Sequence, residues 1–456
     1  MYTGRERRRP ALMTDLYQLT MVAGYYLNCQ DEEATFELFI RSLPANRSYF
    51  VAAGLEQAVE FLLHLRFDKQ ELEFLRGLPV LAHLPDDFFH YLSKFRFKGD
   101  LWAVPEGTLV FPNEPILQVR APLPQAQLVE TFLLSVTHVQ TLVATKASRV
   151  VQAAGEKGVI DFGTRRAHGP EAGVLAARAS FIGGCIGTSN VYAAKDFGIP
   201  AYGTAAHSWT LAFDSEKEAF ERYHAAFPDS TILLIDTYDT MQGLRNALPI
   251  GRKLKGVRLD SGDLLALSRE VRRTLDEAGL GDTRILASGD LDEYKVHALM
   301  QASAPIDFFG VGTEMVTSRD QPALGAVYKL VERKEADKVS YRAKFSENKE
   351  TYPGRKQVWR TMDKQGAYLE DEITLAEEQR AGSSSCLVIP ILERGRLRYG
   401  FPSLSEARQH ALQELERLPL RYRRLESAET YPVAWSNALE RHFEQMRKES
   451  VDLRFQ

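Results

Sequence analysis

Apolar and polar positions along this chain follow two periods, one of helices and one of strands, and the switches between them outline the elements. Over residues 15–26, Leu16, Leu19, Thr20 and Ala23 return at helical spacing, which predicts an amphipathic helix with Thr14 as its N-cap. Residues 33–40 alternate as a strand, 54–65 read as a second helix, and 98–120 hold short strands cut by Pro105, Pro112 and Pro115. Together these predict a small N-terminal α/β domain over residues 1–124. A single long helical pattern, 125–154, then leads into the next domain.

From there the pattern becomes regular. Short apolar runs at 159–160, 200–202, 232–235, 256–259, 284–287 and 306–309 alternate with helical stretches such as 264–278 and 291–300. Such βα alternation predicts a parallel sheet over residues 125–330, and spacing leaves open whether it closes as a barrel or lies doubly wound. After Ala326 the pattern changes to paired strands, 326–333 and 339–345, then to helices around 405–418 and 434–448. Residues 331–456 therefore read as a hairpin and helical segment packing on the N-terminal domain. Residues 353–356 read either as a turn near a site or as a solvated hairpin tip.

Composition narrows the class. A chain of 456 residues with 44% hydrophobic positions supports two or three domains. The 57 basic and 61 acidic side chains leave a net charge of -4, so no overall field favours nucleic acid or an anionic membrane, and any anion site is local. Three cysteines, Cys29, Cys185 and Cys386, form no C-x-x-C pair, which fits a reducing cytoplasm. Arg5, Arg7, Arg8 and Arg9 precede no apolar segment and read as a frayed basic tail. No run of about eighteen apolar residues is present, which argues against a membrane span.

The candidate chemistry lies where the strands end. Six apolar runs terminate in polar or glycine-bearing clusters, at 161–166, 203–207, 236–239, 258–263, 288–290 and 310–313. In parallel α/β folds the C-terminal strand ends open on one face, where βα loops assemble active sites. Gly and Asp also occupy such turns for backbone reasons alone, so the signal is the convergence of six rather than any one. Gly310, Gly312 and Thr313, with Ser288 and Gly289 on the preceding loop, suit a phosphate. Arg165, Arg166 and Arg258 supply planar forks for a carboxylate or phosphate. Asp236, Asp260 and Asp263 would hold Mg²⁺, bind ribose hydroxyls or stabilise a developing cation. His207, in a Gly-Thr-x-x-His-Ser loop, can serve as acid, base or nucleophile, and no metal-ligand spacing accompanies it.

In order and wording these clusters resemble the nicotinate phosphoribosyltransferases. The shared stretches are Thr-Asp-Leu-Tyr-Gln-Leu-Thr-Met at 14–21, Phe-Gly-Thr-Arg-Arg-Ala-His-Gly-Pro at 162–170, Gly-Thr-Ala-Ala-His-Ser at 203–208 and Asp-Thr-Tyr at 236–238. They continue with Gly-Val-Arg-Leu-Asp-Ser-Gly-Asp at 256–263, Gly-Val-Gly-Thr at 310–313 and Pro-Ala-Leu-Gly-Ala-Val-Tyr-Lys at 322–329. The resemblance implies an irregular TIM-like α/β barrel plus an N-terminal α/β domain completed by C-terminal helices, paired head to tail as a homodimer with shared active sites. It implies the union of nicotinate with phosphoribosyl pyrophosphate (PRPP) to form nicotinate mononucleotide in NAD salvage, with ATP as co-substrate, Mg²⁺ as cofactor and a phosphohistidine at His207. By the same resemblance Tyr17, donated across the dimer, stacks on nicotinate, Thr204 and Arg258 contact it, and Thr313 with its glycines binds the 5-phosphate. Arg165 and Asp236 are also implied in the site. Departures are a single C-terminal cysteine where some relatives carry a metal site, and Asp290 after Ser288-Gly289 where many read Ser-Asn. Ser189 stands where nicotinamide enzymes carry an acid, which favours a carboxylate ligand. The alternatives are transfer to nicotinamide or quinolinate and a non-catalytic pyridine-nucleotide sensor. A phosphosugar aldolase would need a strand-end lysine, which the six clusters lack.

Overall fold

The computed structural model describes residues 10–29, 32–336, 338–346, 349–380 and 384–452; the basic tail at Arg5 to Arg9 lies outside these. The chain forms two compact units, one of residues 1–141 with 323–456 and the other of residues 142–322.

The first unit is built on a seven-stranded antiparallel sheet that interleaves the two ends of the chain. Its order is Lys338–Tyr341, Ala326–Glu335, Glu33–Ile40, Pro115–Pro122, Asp100–Ala103, Ile389–Glu393 and Arg396–Leu397. Glu33–Ile40 is a central strand and is buried on both faces rather than one, so its polar members must find partners inside. Glu37 accepts from Gln118 Nε2 at 3.0 Å and from Lys356 Nζ at 3.1 Å. Lys356 is thus an interior cation, and the 353–356 turn is not a solvated hairpin tip.

A second sheet, in the order Ser385–Cys386, Lys356–Met362, Tyr368–Leu375 and Val433–Trp435, occupies the stretch read from sequence as hairpin and helix. The helices Leu404–Arg417 and Asn437–Asp452 are present, the first with a Ser403/Glu406 capping box. At the N-terminus the helix is Leu16–Asn28, and its N-cap residue is Asp15, not Thr14, whose hydroxyl is buried without a partner. The buried face is Gln18, Leu19, Val22 and Ala23; Leu16 points outward, and Gln18 is held by Gln127 and Glu130.

The long helix comes in two pieces, Leu123–Leu128 and Glu130–Ala154. Together they are long and apolar enough to cross a membrane, yet 67% of the apolar window is buried in the protein.

The second unit is a six-stranded parallel sheet in the order Gly187–Thr188, Gly158–Asp161, Phe308–Val311, Arg284–Ala287, Gly256–Leu259 and Ile232–Leu234. Helices such as Leu264–Glu277 and Glu293–Gln301 return the chain between strands, as parallel pairing requires. The strand expected at 200–202 reduces to one bridge, Ala201 with Thr188, and the short Gly187–Thr188 takes its place beside Gly158–Asp161. The strand expected at 306–309 runs Phe308–Val311, so Gly310 lies inside it. The hydrogen-bonded ladder among the described residues runs from Gly187–Thr188 to Ile232–Leu234 as a parallel sheet.

Candidate active site

At the C-terminal strand ends of the second unit lies a cavity of about 290 Å³, small enough to suit one compact ligand. Its wall includes Phe162, Arg165, Ser189, Thr204, His207, Arg258 and Asp260, drawn from three of the loops singled out by sequence and from the Gly187-Thr-Ser-Asn190 segment.

Arg258 organises the site. It leaves the strand Gly256–Leu259 with its guanidinium over the Phe162 ring, 5.4 Å from the centroid. Its three nitrogens donate in three directions: Nε to Ser288 Oγ at 2.7 Å, Nη1 to Thr204 Oγ1 at 3.0 Å and Nη2 to Asp260 Oδ1 at 2.6 Å. Ser288 Oγ in turn donates to Asp260 Oδ1 at 2.5 Å. Burial pushes the Asp260 carboxyl up, but the Ser288 hydrogen bond and the Arg258 charge outweigh it and hold Asp260 below the usual carboxylate range.

His207 opens the helix His207–Leu211, with Nδ1 3.2 Å from Thr237 Oγ1 and Nε2 3.8 Å from Asp260 Oδ2. The Thr237 contact orients the ring and leaves Nε2 facing Asp260 across the mouth. Asp236 Oδ2 accepts the Asp260 N–H at 2.9 Å and the Ser261 hydroxyl at 2.6 Å, while its Oδ1 is buried with no hydrogen-bond partner.

Gly289 has φ +98°, and a Cβ there would fall 2.1 Å from the Asp260 carbonyl oxygen, so the Ser288–Gly289 turn presses directly on the site's backbone. Gly310 has a packing reason for being glycine: a Cβ would meet the Phe162 ring at 2.5 Å. Gly312 precedes the short helix Thr313–Val316 at the end of the strand Phe308–Val311.

Thr204, His207, Arg258, Asp260 and Arg165 therefore line one cavity, with Asp236 and Ser288 hydrogen-bonded to its wall and Gly289 packed behind it. Gly310, Gly312 and Thr313 lie outside the lining, on the strand and turn beside Phe162. Tyr17 belongs to the first unit, where its side chain is 49% exposed. Asp263 caps the helix Leu264–Glu277, its Oδ1 accepting from Leu265 N and Ala266 N at 3.1 and 3.0 Å. Among the described residues no group of three or more His, Cys, Asp or Glu side chains is placed to hold a metal. Mg²⁺ shared with substrate phosphates needs only one or two carboxylates, and the orphaned Asp236 Oδ1 fits that requirement.

Phe162 and Thr237 both sit within the quoted clusters, yet neither a lone aromatic nor a lone hydroxyl signals in sequence the aromatic floor under Arg258 and the contact to His207 that they provide.

Comparison with known proteins gives three family matches in chain order. The nicotinate phosphoribosyltransferase N-terminal domain matches residues 12–138, the family's main model 158–370 and its C-terminal domain 383–442. A nicotinate phosphoribosyltransferase of Mycobacterium tuberculosis is 47% identical over 94% of this chain and 92% of its own length. One from Bacillus subtilis is 41% identical over 94% and 95%. The crystal structure of human nicotinic acid phosphoribosyltransferase superposes with a TM-score of 0.85 at 31% identity, covering 95% of this chain and 99% of that one. With all three parts of the family matched and close relatives aligned along nearly the whole length, the chain belongs to the nicotinate phosphoribosyltransferase family.

Proposed function

We propose that this enzyme joins nicotinate to PRPP, releasing pyrophosphate and nicotinate mononucleotide, with ATP hydrolysis coupled through phosphorylation of His207. The observation that carries this reading is the pairing of charges around the cavity. Arg258 is committed to Asp260, Thr204 and Ser288, whereas Arg165, on the same wall, has no ion-pair partner among the described residues. The cavity therefore offers a cation and a hydroxyl to an anionic ring, and Ser189 adds no opposing charge.

In this reading Arg165, Thr204 and the two N–H groups that Arg258 has not committed seat the nicotinate carboxylate, and Tyr17 of a second copy stacks on the ring. Ser288, Gly289, Gly310, Gly312 and Thr313 seat the 5-phosphate. As the C1–O bond to pyrophosphate breaks, the ribose gains oxocarbenium character beside Asp236 and Asp260, and the pyridine nitrogen closes on C1. Mg²⁺ held by Asp236 and the substrate's phosphate oxygens, with Asp263 as a further candidate ligand, would neutralise the leaving pyrophosphate. Phosphorylated His207 adds about two negative charges beside that subsite.

The parallel sheet then curls into the irregular TIM-like barrel of a catalytic domain at 125–330, flanked by an N-terminal domain at 1–124 and a C-terminal segment at 331–456. Two copies pair head to tail in the cytoplasm. Support for pairing comes from the exposed apolar stripe of Met13, Leu16, Tyr17 and Leu27 on or beside the first helix.

The test is pyrophosphate release with nicotinate, nicotinamide or quinolinate, each with and without ATP. Turnover confined to nicotinate and stimulated by ATP is expected. Preference for the amide or the diacid, or no turnover, overturns the assignment.

A further inference from the structure

Asp161 ends the strand Gly158–Asp161, is 0% exposed, and has no ion-pair partner among the described residues. A buried carboxylate without a counter-charge persists only where donors fill its oxygens. Gly163 N–H donates to Oδ1 at 2.8 Å and the Thr188 hydroxyl donates to Oδ2 at 2.7 Å. Thr188 Oγ1 also accepts the Asn190 N–H at 3.0 Å, so its proton is directed at Asp161 and the carboxylate accepts on both oxygens. The Asp161 backbone carbonyl takes a further bond, from Ser189 N–H at 2.8 Å.

One residue therefore ties down two loops. The Gly163 bond fixes the turn that carries Phe162 and leads into Thr164–Arg166, and the Thr188 and Ser189 bonds fix the segment that presents Ser189. Phe162, Arg165 and Ser189 all line the cavity, while Asp161 itself does not. The same turn reaches the phosphate side through Phe162 N–H, which donates to the Val311 carbonyl at 2.8 Å.

We propose that Asp161 is a positioning residue for the pyridine ligand, setting Ser189 against Arg165 through its bonds to Thr188 and Gly163. The inference deepens the nicotinate assignment and rests on it. A mere strand-end brace would affect folding stability and nothing else.

Two variants interrupt the connection. Thr188→Val removes the hydroxyl at nearly constant volume, and Asp161→Asn keeps the shape but turns a donor towards one of the two donors it must accept. Each is expected to raise the nicotinate KM about tenfold, with kcat and the PRPP KM within about twofold, because ground-state seating is lost and the reacting groups stay intact. The double variant should fall short of the sum of the singles, since both interrupt the Asp161–Thr188 bond, and Thr188→Ser should restore wild-type behaviour. In amide hydrogen exchange, residues 162–166 and 188–190 should lose protection in Thr188→Val while Gly256–Leu259 keeps it.

Lowered thermal stability with an unmoved nicotinate KM, additive single effects, or unchanged exchange in both loops would each overturn the proposal. Thr188→Val carries the test should Asp161→Asn not accumulate as folded protein. The exchange measurement needs no substrate. It shows whether Asp161 ties the two loops together even if the wild type fails to consume nicotinate, the result that overturns the functional assignment instead, while the nicotinate KM separates positioning from a structural brace.

Discussion

A single arginine shows how much chemistry one side chain concentrates here. Lysine at position 258 would keep a positive charge for Asp260 but could not reach Thr204 and Ser288 at the same time, because an ammonium lacks the guanidinium's divergent fork. Arg258→Lys should therefore weaken nicotinate binding by about 1–3 kcal/mol, seen as a raised nicotinate KM in steady-state assays. An unmoved KM would remove the carboxylate seat from the mechanism. His207 calls for a different measurement. Its Nδ1 is taken up by Thr237 and its Nε2 lies open near Asp260, so replacing it removes the proposed site of phosphorylation without disturbing Arg258. His207→Ala should abolish ATP stimulation and retain slow, ATP-independent transfer in pyrophosphate-release assays; full stimulation in the variant would exclude the phosphohistidine.

At the scale of elements, the turn after the strand Arg284–Ala287 makes the firmest prediction. Gly289 combines φ +98° with a Cβ position 2.1 Å from the Asp260 carbonyl oxygen, so any side chain there must displace the backbone that carries Asp260. Gly289→Ala should cost about 1–3 kcal/mol of stability in thermal or denaturant unfolding and lower kcat/KM at least about tenfold. Gly281→Ala is the control, because its Cβ would find its nearest neighbour at 3.8 Å without a positive φ, and it should behave as wild type. Elements whose burial follows apolarity were legible from sequence. Gly256–Leu259 and Arg284–Ala287 match the expected ranges, and the polar residues at their ends meet at the cavity. The strand Lys356–Met362 was illegible for a physical reason: its buried face is Lys356, Val358 and Arg360, while Trp359 lies on the other side. Gly187–Thr188 is too short to show a period. In helix Leu16–Asn28 the expected Leu19 and Ala23 are buried, but Gln18 takes an interior place through hydrogen bonds that apolarity does not reveal, and Leu16 does not.

For the molecule as a whole, the first unit depends on ionic groups that no hydrophobic pattern reveals. Arg360 donates to Asp371 Oδ2 at 2.6 Å, to Glu414 Oε2 at 2.9 Å and to the Leu109 carbonyl at 2.8 Å, joining segments from both ends of the chain. Glu114, also buried, accepts the Phe111 N–H at 2.8 Å and leaves its other oxygen without a partner. Three carboxyls, Asp371, Glu414 and Glu114, stand around Arg360, the Tyr431 hydroxyl donates to Asp371 at 3.0 Å, the Tyr368 hydroxyl donates to Glu414, and His410 and Arg417 lie beside Glu414. Burial first, and the negative charge of Asp371 second, push the Glu114 carboxyl well above the usual carboxylate range. The sign follows by linkage: a carboxyl raised by folding stabilises fully below its unfolded value, and that contribution is lost as pH rises towards and through the folded value. Glu114→Gln retains an acceptor for Phe111 N–H and has no proton to lose, so its stability should not decline over that window. The variant should match or exceed wild type near pH 4, and its advantage should grow as pH rises from there towards about 8 in denaturant unfolding. A difference that stays constant or shrinks as pH rises would mean that Glu114 is ionised throughout and that the excess charge is met elsewhere in the cluster.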